Sequence, residues 1–372
     1  MPMRLILLVD SPSKQAHGNA ASRLALGLAQ TGEAEPTMLC YGDDPRPSWL
    51  PGEVAVDRLG VNRASRAILP LARYLHSHQP DILVTRQIHT NLCALVAVWL
   101  ARIFYGWHGK LVLVQDHPIA LSHAANWRDN KWLVKLGYRF ASGVISPSPF
   151  VRDDVVRWCN LDPGLTALVP NAIPPFSGIL DTPPHPWLCD GGPPTFVHIS
   201  NLMPWKRLDL LVDAFAEVCR TEDVRLLIVG KGAGRGQVDE QIRRLGISAQ
   251  AEAVGWVDDP LQFAARACAL VHPSDEEGFA QVLTEAMSTG CPVITTDAQG
   301  GGPRYVTQDG YYGMLVPRGD KSALVKAMYS VLQPDVRAQY SALGLERIKA
   351  FAPVVCANAL IQFLVKQLGV TG

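Results

Sequence analysis

Two carboxylates, Glu277 and Glu285, stand eight positions apart in the stretch SDEEGFAQVLTEAMSTGCPV, which runs from Ser274 to Val293. Glu277 directly precedes Gly278, and the apolar pattern that follows reads as a helix start. A glycine there lets backbone approach a ligand closely. The unpaired amides and the helix dipole favour an anion such as a diphosphate. An acid at the same point does different work, because it accepts hydrogen bonds from hydroxyls. If both acids are helical, Glu285 lies about 80° around from Glu277 and about 12 Å along the axis, enough to reach two sugars of one ligand. The plain alternative is a capping Glu277 and a solvated Glu285. The surrounding order of strand, helix, strand and Gly triplet, in VHPSDEEGFAQVLTEAMSTGCPVITTDAQGGGPRYV, suits a ligand loop better than surface decoration.

Such a loop needs a scaffold. Short apolar runs recur at 4–9, 81–85, 110–115 and 143–146, and again at 195–200, 225–230, 269–274 and 292–296, with amphipathic stretches between them. Continuous apolar runs suit strands buried on both faces, and helical patterns between them imply βαβ units with parallel sheets. The expected class is therefore α/β. Between the two series lies PNAIPPFSGILDTPPHPWLCDGGPPT, too dense in Pro and Gly for a long element. A linker is expected at 174–194, with a second doubly wound domain beginning at Thr195 and ligands at the carboxyl ends of the strands. The final stretch reads as two helices broken near Pro353.

Composition bounds the rest. At 372 residues, two domains are the prior expectation. Hydrophobic residues make up 48% and charged residues 18%, which describes a globular chain. The formal net charge is zero, so no global field recruits nucleic acid. The eight cysteines form no C-x-x-C pair and no zinc-ligand spacing, and reduced thiols in a cytoplasmic protein are the simplest expectation. No apolar run reaches the ~18 residues of a membrane span, so a soluble or surface-bound protein is expected.

The segment around Glu277 resembles the E-x-x-x-x-x-x-x-E signature of retaining glycosyltransferases of family 4, followed here by EAMSTGCPVI. The resemblance implies a GT-B fold, two Rossmann-like doubly wound domains facing a central cleft. Domain bounds follow as 1–173 for an acceptor-binding domain, 174–194 for the linker, 195–350 for a nucleotide-sugar-binding domain, and 351–372 for a C-terminal helix packing back on the first. It further implies that Glu277 contacts hydroxyls of the donor sugar and Glu285 the ribose. Gly278 and the amides near Phe279, Ala280 and Val282 would meet sugar and diphosphate.

Other segments agree in order and spacing. HISNLMPWKRLDLLVDAF (198–215) resembles the stretch in which an Arg and a Lys neutralise the diphosphate. Lys206 fills the Lys position, whereas Asn201 stands where Arg is usual, so either Arg207 or an Arg of the first domain substitutes, or phosphate binding relies more on the helix dipole. LLIVGKGAG (226–234) resembles the V-G-x-G strand-to-turn with Gly230, and VGWVDDP (254–260) the base-lining loop with Trp256 and Val257. GGGPRYVTQDGYYGMLVP (300–317) matches a family run with Tyr305 where Glu is usual.

In the first half, residues 11–32 occupy the place of a flexible loop that approaches the diphosphate and acceptor, with Gly18 as the close-approach candidate. VQDHPIALSH (114–123) matches where the family carries a His near the reacting carbon, and His117 is preferred over His123. Asn171 and Ala172 fall in the V-x-P-N-G-I stretch, with Ala172 for the usual Gly. Separately, residues 60–150 carry ten Lys and Arg against three Asp, a local charge of +7 in a neutral chain. NWRDNKWLVKLGYRF (126–140) interleaves aromatics with bases, as helices on anionic lipid do. A helix with one buried aromatic face and one solvated basic face is the alternative.

The expected activity is transfer of a sugar from a nucleotide-sugar, UDP-linked in preference to GDP-linked, to a hydroxyl of a lipid-linked or envelope polysaccharide acceptor, with retention. His117, Lys206 and Glu277 are the expected catalytic residues. No resident cofactor or metal is expected, and the expected location is cytoplasmic, peripheral on the inner membrane face. A sugar-nucleotide epimerase and a non-catalytic nucleotide-sugar-binding subunit are the alternatives.

Overall fold

The computed structural model describes residues 2–12, 16–42, 45–121, 131–173, 176 and 178–370. The chain divides into two units, Met1–Pro174 with Ala350–Gly372, and Pro175–Lys349. The first contains β1 (Met3–Val9), α1 (Ala16–Thr31), β2 (Ala34–Cys40), β3 (Ala55–Arg58), α2 (Ile68–His78), β4 (Ile82–Arg86) and α3 (Ile88–Tyr105). It continues with β5 (Lys110–Val114), α4 (Lys131–Gly137), β6 (Gly143–Ser146), α5 (Pro149–Cys159) and β7 (Thr166–Leu168). All seven strands are parallel, in the order β3-β2-β1-β4-β5-β6-β7.

The two-residue period of the strands divides the core into two layers. Leu5, Leu7, Val9 and Val84 point into a cluster with α1, while Ile6, Leu8 and Leu83 point into one with α2 and α3. Both faces are dry, which is why these strands read as unbroken apolar runs.

The second unit contains β8 (Thr195–Ile199), α6 (Leu208–Val218), β9 (Arg225–Val229), α7 (Arg235–Arg244), β10 (Ala251–Gly255), α8 (Leu261–Arg266) and β11 (Ala269–His272). Then follow α9 (Gln281–Ser288), β12 (Val293–Thr296), α10 (Gly302–Thr307), β13 (Met314–Val316), α11 (Lys321–Leu332) and α12 (Pro334–Arg347). Its six parallel strands run β10-β9-β8-β11-β12-β13. Both units are therefore doubly wound α/β sheets.

The last helix, α13 (Pro353–Lys366), belongs to the first unit. It buries Cys356, Ala357, Leu360, Ile361, Phe363 and Leu364 beside α1. Gly27 of α1 makes this approach possible, since a Cβ there would lie 2.0 Å from the Pro353 carbonyl oxygen. The Pro/Gly-rich stretch before β8 clusters with the second unit, where Gln262 accepts from the Leu180 amide at 3.0 Å and the Thr195 hydroxyl donates to the Trp187 carbonyl at 2.8 Å. Residues 11–32, read as a flexible loop, are mostly the regular helix α1, and residues 13–15 lie outside the described residues.

Candidate functional site

The second sheet reverses its winding between β8 and β11, and such switch points are where open α/β sheets bind ligands. His198 lies in β8 and His272 ends β11, so the two adjacent strands deliver stacked imidazoles, 5.3 Å between centroids and 9° between planes. The loop after β8 brings Lys206, and the loop after β11 brings Glu277. Lys206 Nζ donates to Glu277 Oε1 in a salt bridge, and His272 Nε2 meets the same oxygen at 2.7 Å. Ser274 Oγ lies 3.0 Å from His272 Nε2.

The hydrogen bonds assign the protons. Val271 O can only accept, so His198 carries its proton on Nδ1 (2.8 Å) and its Nε2 accepts from Ser200 Oγ (2.7 Å). Glu277 as a carboxylate can only accept, so His272 is protonated on Nε2, and its buried Nδ1 has no partner among the described residues. Burial lowers the His198 pKa from an ordinary 6.5 to about 3, with His272 adding to the shift. Burial also lowers that of His272, against the opposing pull of Glu277. For Glu277, burial favours the neutral acid, but Lys206 and His272 outweigh it and hold the carboxyl well below the usual carboxylate range. The site is one buried ion pair braced by neutral imidazoles.

The backbone around Glu277 is fixed like a strand edge. Glu276 pairs with Gln299, the Glu277 amide donates to Gln299 O at 2.8 Å, and the Gly302 amide donates to Glu277 O at 3.1 Å. Glu277 is therefore not helical, because α9 begins only at Gln281 after Ala280 turns left-handed at φ 61°. The helical spacing of 80° and 12 Å expected between the two acids does not apply. Glu285 sits within α9, where its carboxylate accepts from Gln281 Nε2 at 2.8 Å. Gly278, Phe279 and Ala280 are buried and Val282 is half-buried at the helix start. First-turn amides of a helix lack partners within it, so this end can face an anion. Gly302 is required here, since a Cβ would lie 2.5 Å from the Phe279 nitrogen.

The remaining expected residues of this unit lie in neighbouring loops. Asn201 is exposed directly after β8, with its carbonyl accepting from the Met203 amide at 2.8 Å. Gly230 has φ 142°, and a Cβ would lie 1.8 Å from the Ser200 carbonyl oxygen, so only glycine fits. Arg207, itself left-handed at φ 53°, pairs with Asp209 at 3.0 Å and Asp275 at 3.2 Å. These two carboxylates neutralise the charge it was expected to lend. Trp256 is exposed and Val257 half-buried after β10, with Lys231 Nζ 5.4 Å from the Trp256 ring centroid. Tyr305 packs near Phe279, 6.3 Å between centroids, beneath the Arg347 guanidinium at 5.5 Å. That is a packing role for the residue standing where an acid is usual.

In the first unit, Gly18 lies in the first turn of α1, and its missing Cβ makes room for the Ser11 carbonyl oxygen, 2.0 Å from where a Cβ would stand. The close approach it permits is to the chain's own backbone. His117 is exposed after β5, and its carbonyl accepts from Gln115 Nε2 at 2.6 Å. Gln115 is held in turn by a buried chain of hydrogen bonds. The Tyr138 hydroxyl donates to Gln115 Oε1 (2.8 Å), Asn91 Nδ2 to the Tyr138 oxygen (2.8 Å), and Thr85 Oγ1 to Asn91 Oδ1 (2.7 Å). Beside it Arg86 clamps Asp116, with Nε to Oδ2 at 2.9 Å, and donates to Asn171 Oδ1. His123 and residues 126–130 lie outside the described residues.

Sequence reading missed His198, His272 and this Arg86–Asp116–Asn171 clamp. The signal for the first was a histidine near the end of two separate apolar runs. For the second it was the polar triplet Gln115, Asp116 and His117 following a buried strand. Among the described residues, no three His, Cys, Asp or Glu side chains gather as a metal site.

Comparison with known proteins follows the same division. A family model described as Glycosyltransferase Family 4 matches residues 18–175, and one described as Glycosyl transferases group 1 matches residues 193–334. A phosphatidyl-myo-inositol mannosyltransferase of Mycobacterium leprae is 36% identical over 166 residues, 43% of this chain and 42% of that protein. A Campylobacter jejuni N-acetylgalactosamine-N,N'-diacetylbacillosaminyl-diphospho-undecaprenol 4-alpha-N-acetylgalactosaminyltransferase is 25% identical over 238 residues, 63% of each chain. The match thus spans less than two thirds of either relative's length. The crystal structure of Anabaena HepE in complex with UDP-glucose superimposes with a TM-score of 0.77 at 19% identity, covering 98% of this chain and all of that one.

Proposed function

We propose that this chain, which belongs to the family-4 glycosyltransferases of GT-B fold, moves a sugar from a nucleotide-sugar to a hydroxyl of a lipid-linked or envelope polysaccharide acceptor, with retention at the anomeric carbon. The observation that carries this reading is the buried Lys206–Glu277 pair at the β8/β11 switch point, beside the N-terminus of α9. It offers, within one small region, a cation and amides for a diphosphate and a carboxylate for sugar hydroxyls. The preference for UDP over GDP is supported by the fold neighbour that holds UDP-glucose. Lipid-linked or envelope acceptors are supported by the relatives named for phosphatidyl-inositol and undecaprenyl-diphosphate acceptors.

In this reading the acceptor oxygen bonds to the anomeric carbon as the bond from that carbon to the diphosphate oxygen breaks. The acceptor proton passes to the departing diphosphate on the same face. Lys206 and the amides of Gln281 and Val282 stabilise the charge that develops on the leaving group. Ionised Glu277, held so by Lys206 and His272, orients the sugar through its hydroxyls. His117, fixed through its main chain by Gln115, is the first unit's candidate for contact with the reacting sugar. Glu285 holds the ribose, and Trp256, Val257 and Gly230 border the nucleotide. The reaction uses no resident cofactor and no protein-held metal, and the enzyme works peripherally at the inner membrane face.

The experiment is a panel of UDP- and GDP-sugars incubated with the protein, with products resolved by mass and NMR. Slow release of free sugar with retained configuration supports the transferase and names the donor. A new nucleotide-sugar among the products replaces it with an epimerase, and tight binding without turnover replaces it with a binding subunit, the alternative that the departures at Asn201 and Tyr305 keep open.

A further inference from the structure

Among the described residues, the outward face of α3 from Val96 to Phe104 is exposed and, apart from Arg102, apolar. Its inner side buries Ala94, Ala97, Val98 and Ala101 against the sheet. Its outer side, following the 3.6-residue period, presents Val96, Trp99 and Ile103, with Phe104 beyond. The neighbouring α4 continues the surface with Trp132 and Leu136, and Phe140 follows one turn on. Trp99, Ile103, Phe104, Trp132, Leu136 and Phe140 are between 49% and 75% exposed, although large apolar side chains are normally the first to be buried. The two helices form one surface, because a Cβ on Gly137 of α4 would lie 3.0 Å from a Leu95 methyl of α3. Single exposed apolar residues need no explanation, but a contiguous patch marks an interaction site.

Charge chooses the partner. Neither α3 nor the stretch from Lys131 to Phe140 contains an Asp or Glu, and the residues interleaved with the apolar ones are Arg102, Lys131, Lys135 and Arg139. A symmetric pairing of two copies through this face would set these cations against themselves. An anionic bilayer complements both features at once, apolar rings into the acyl boundary and cations against phosphate. By length and composition α3 could cross a membrane. It cannot do so while its inner face packs on the sheet between β4 and β5, so the geometry requires it to lie in the membrane plane.

We infer that the α3–α4 face, built around Trp99, Ile103, Trp132 and Phe140, is the surface by which the first unit docks onto anionic lipid. The inference deepens the proposed function by naming the surface that would hold the enzyme beside a membrane-borne acceptor, and it does not depend on the donor chemistry.

The test is flotation of the full chain with vesicles of phosphatidylcholine alone and with about one-third phosphatidylglycerol. The expected result is binding to the anionic vesicles, weakened by about 0.5 M salt, with a blue shift of tryptophan emission. The double variant Trp99→Ser/Phe140→Ser should lose about tenfold or more in affinity, and Lys135→Glu should weaken the preference for anionic lipid. Because these side chains are exposed, both variants should keep the wild-type unfolding midpoint and wild-type hydrolysis of a soluble nucleotide-sugar. Failure of the hydrolysis in wild type would count against the donor reading and leave docking intact. No binding by wild type, equal binding by Trp99→Ser/Phe140→Ser, or a wild-type dimer that this variant dissociates would each overturn the inference.

Discussion

Replacing Lys206 by Met leaves the Glu277 carboxylate buried with its principal counter-charge gone. Glu277 is only 7% exposed at its side chain, and Lys206 and His272 converge on one of its oxygens. Breaking a buried pair from one side costs about 3 kcal/mol or more, because the surviving charge is desolvated without compensation. The sign with pH follows from the cause. In the wild type the folded pKa of Glu277 is depressed, so the pair's contribution is complete above the ordinary carboxylate range and fades as pH falls through the folded value. Without Lys206, burial dominates and the pKa moves up, so the variant's deficit is full near neutrality and narrows as the pH approaches 4, where a protonated Glu277 is cheap to bury. Hydrogen exchange on the β8 and β11 peptides reads the opening of this unit by itself. At neutral pH their exchange should be roughly a hundredfold faster in Lys206→Met than in wild type. The double variant Lys206→Met/Glu277→Gln, which removes both charges, should recover most of the loss. A single variant with a loss under about 1 kcal/mol and no pH dependence, or a double variant no better than the single, refutes the reasoning.

Three further outcomes follow from the same region. His198 and His272 are neutral when folded, so below an ordinary pKa of 6.5 the unfolded chain takes up protons that the fold refuses. Each should cost about 1.4 kcal/mol per pH unit, and His198→Gln should flatten the fall of the urea midpoint between pH 6.5 and 5. Gly302→Ala forces a Cβ to within 2.5 Å of the Phe279 nitrogen and must displace the loop that carries Glu277. It should raise KM for the nucleotide-sugar by about tenfold with far-UV circular dichroism unchanged. Ala280 is left-handed at φ 61°, so Ala280→Gly should raise the unfolding free energy by about 0.5–1 kcal/mol and Ala280→Val should lower it.

The central strands were legible from sequence because parallel strands covered on both faces must be continuous apolar runs. RLILLV became β1 and RLLIVG became β9, each within a residue or so. The strands not read were β3, β7, β10 and β13 at the sheet edges, with β2 beside one of them. AVDR, TAL and AEAVG are short or half-exposed, and one-sided burial dilutes the apolar signal. Within the site, Lys206 and Glu277 were legible from motif order. That they share one oxygen with His272 was not, since it depends on β8 lying beside β11. The helical geometry assigned to Glu277 failed because Ala280 adopts a left-handed turn that propensity rules give to glycine or asparagine. The tying of Arg207 to Asp209 and Asp275 was hidden for a similar reason, since Asp275 arrives from a different loop.

Glu277 and Lys206 are proposed to act on a bound nucleotide-sugar. The most direct test compares wild type with Glu277→Gln, measuring UDP affinity by calorimetry and release of sugar from the donor that the panel identifies. Gln keeps the side-chain shape and removes the charge that pairs with Lys206 and is proposed to orient the sugar. Sugar release should fall by about a hundredfold or more while UDP, which lacks the sugar, binds within about threefold of wild type. Sugar release by Glu277→Gln at the wild-type rate would rule out a role for the Glu277 carboxylate in sugar transfer.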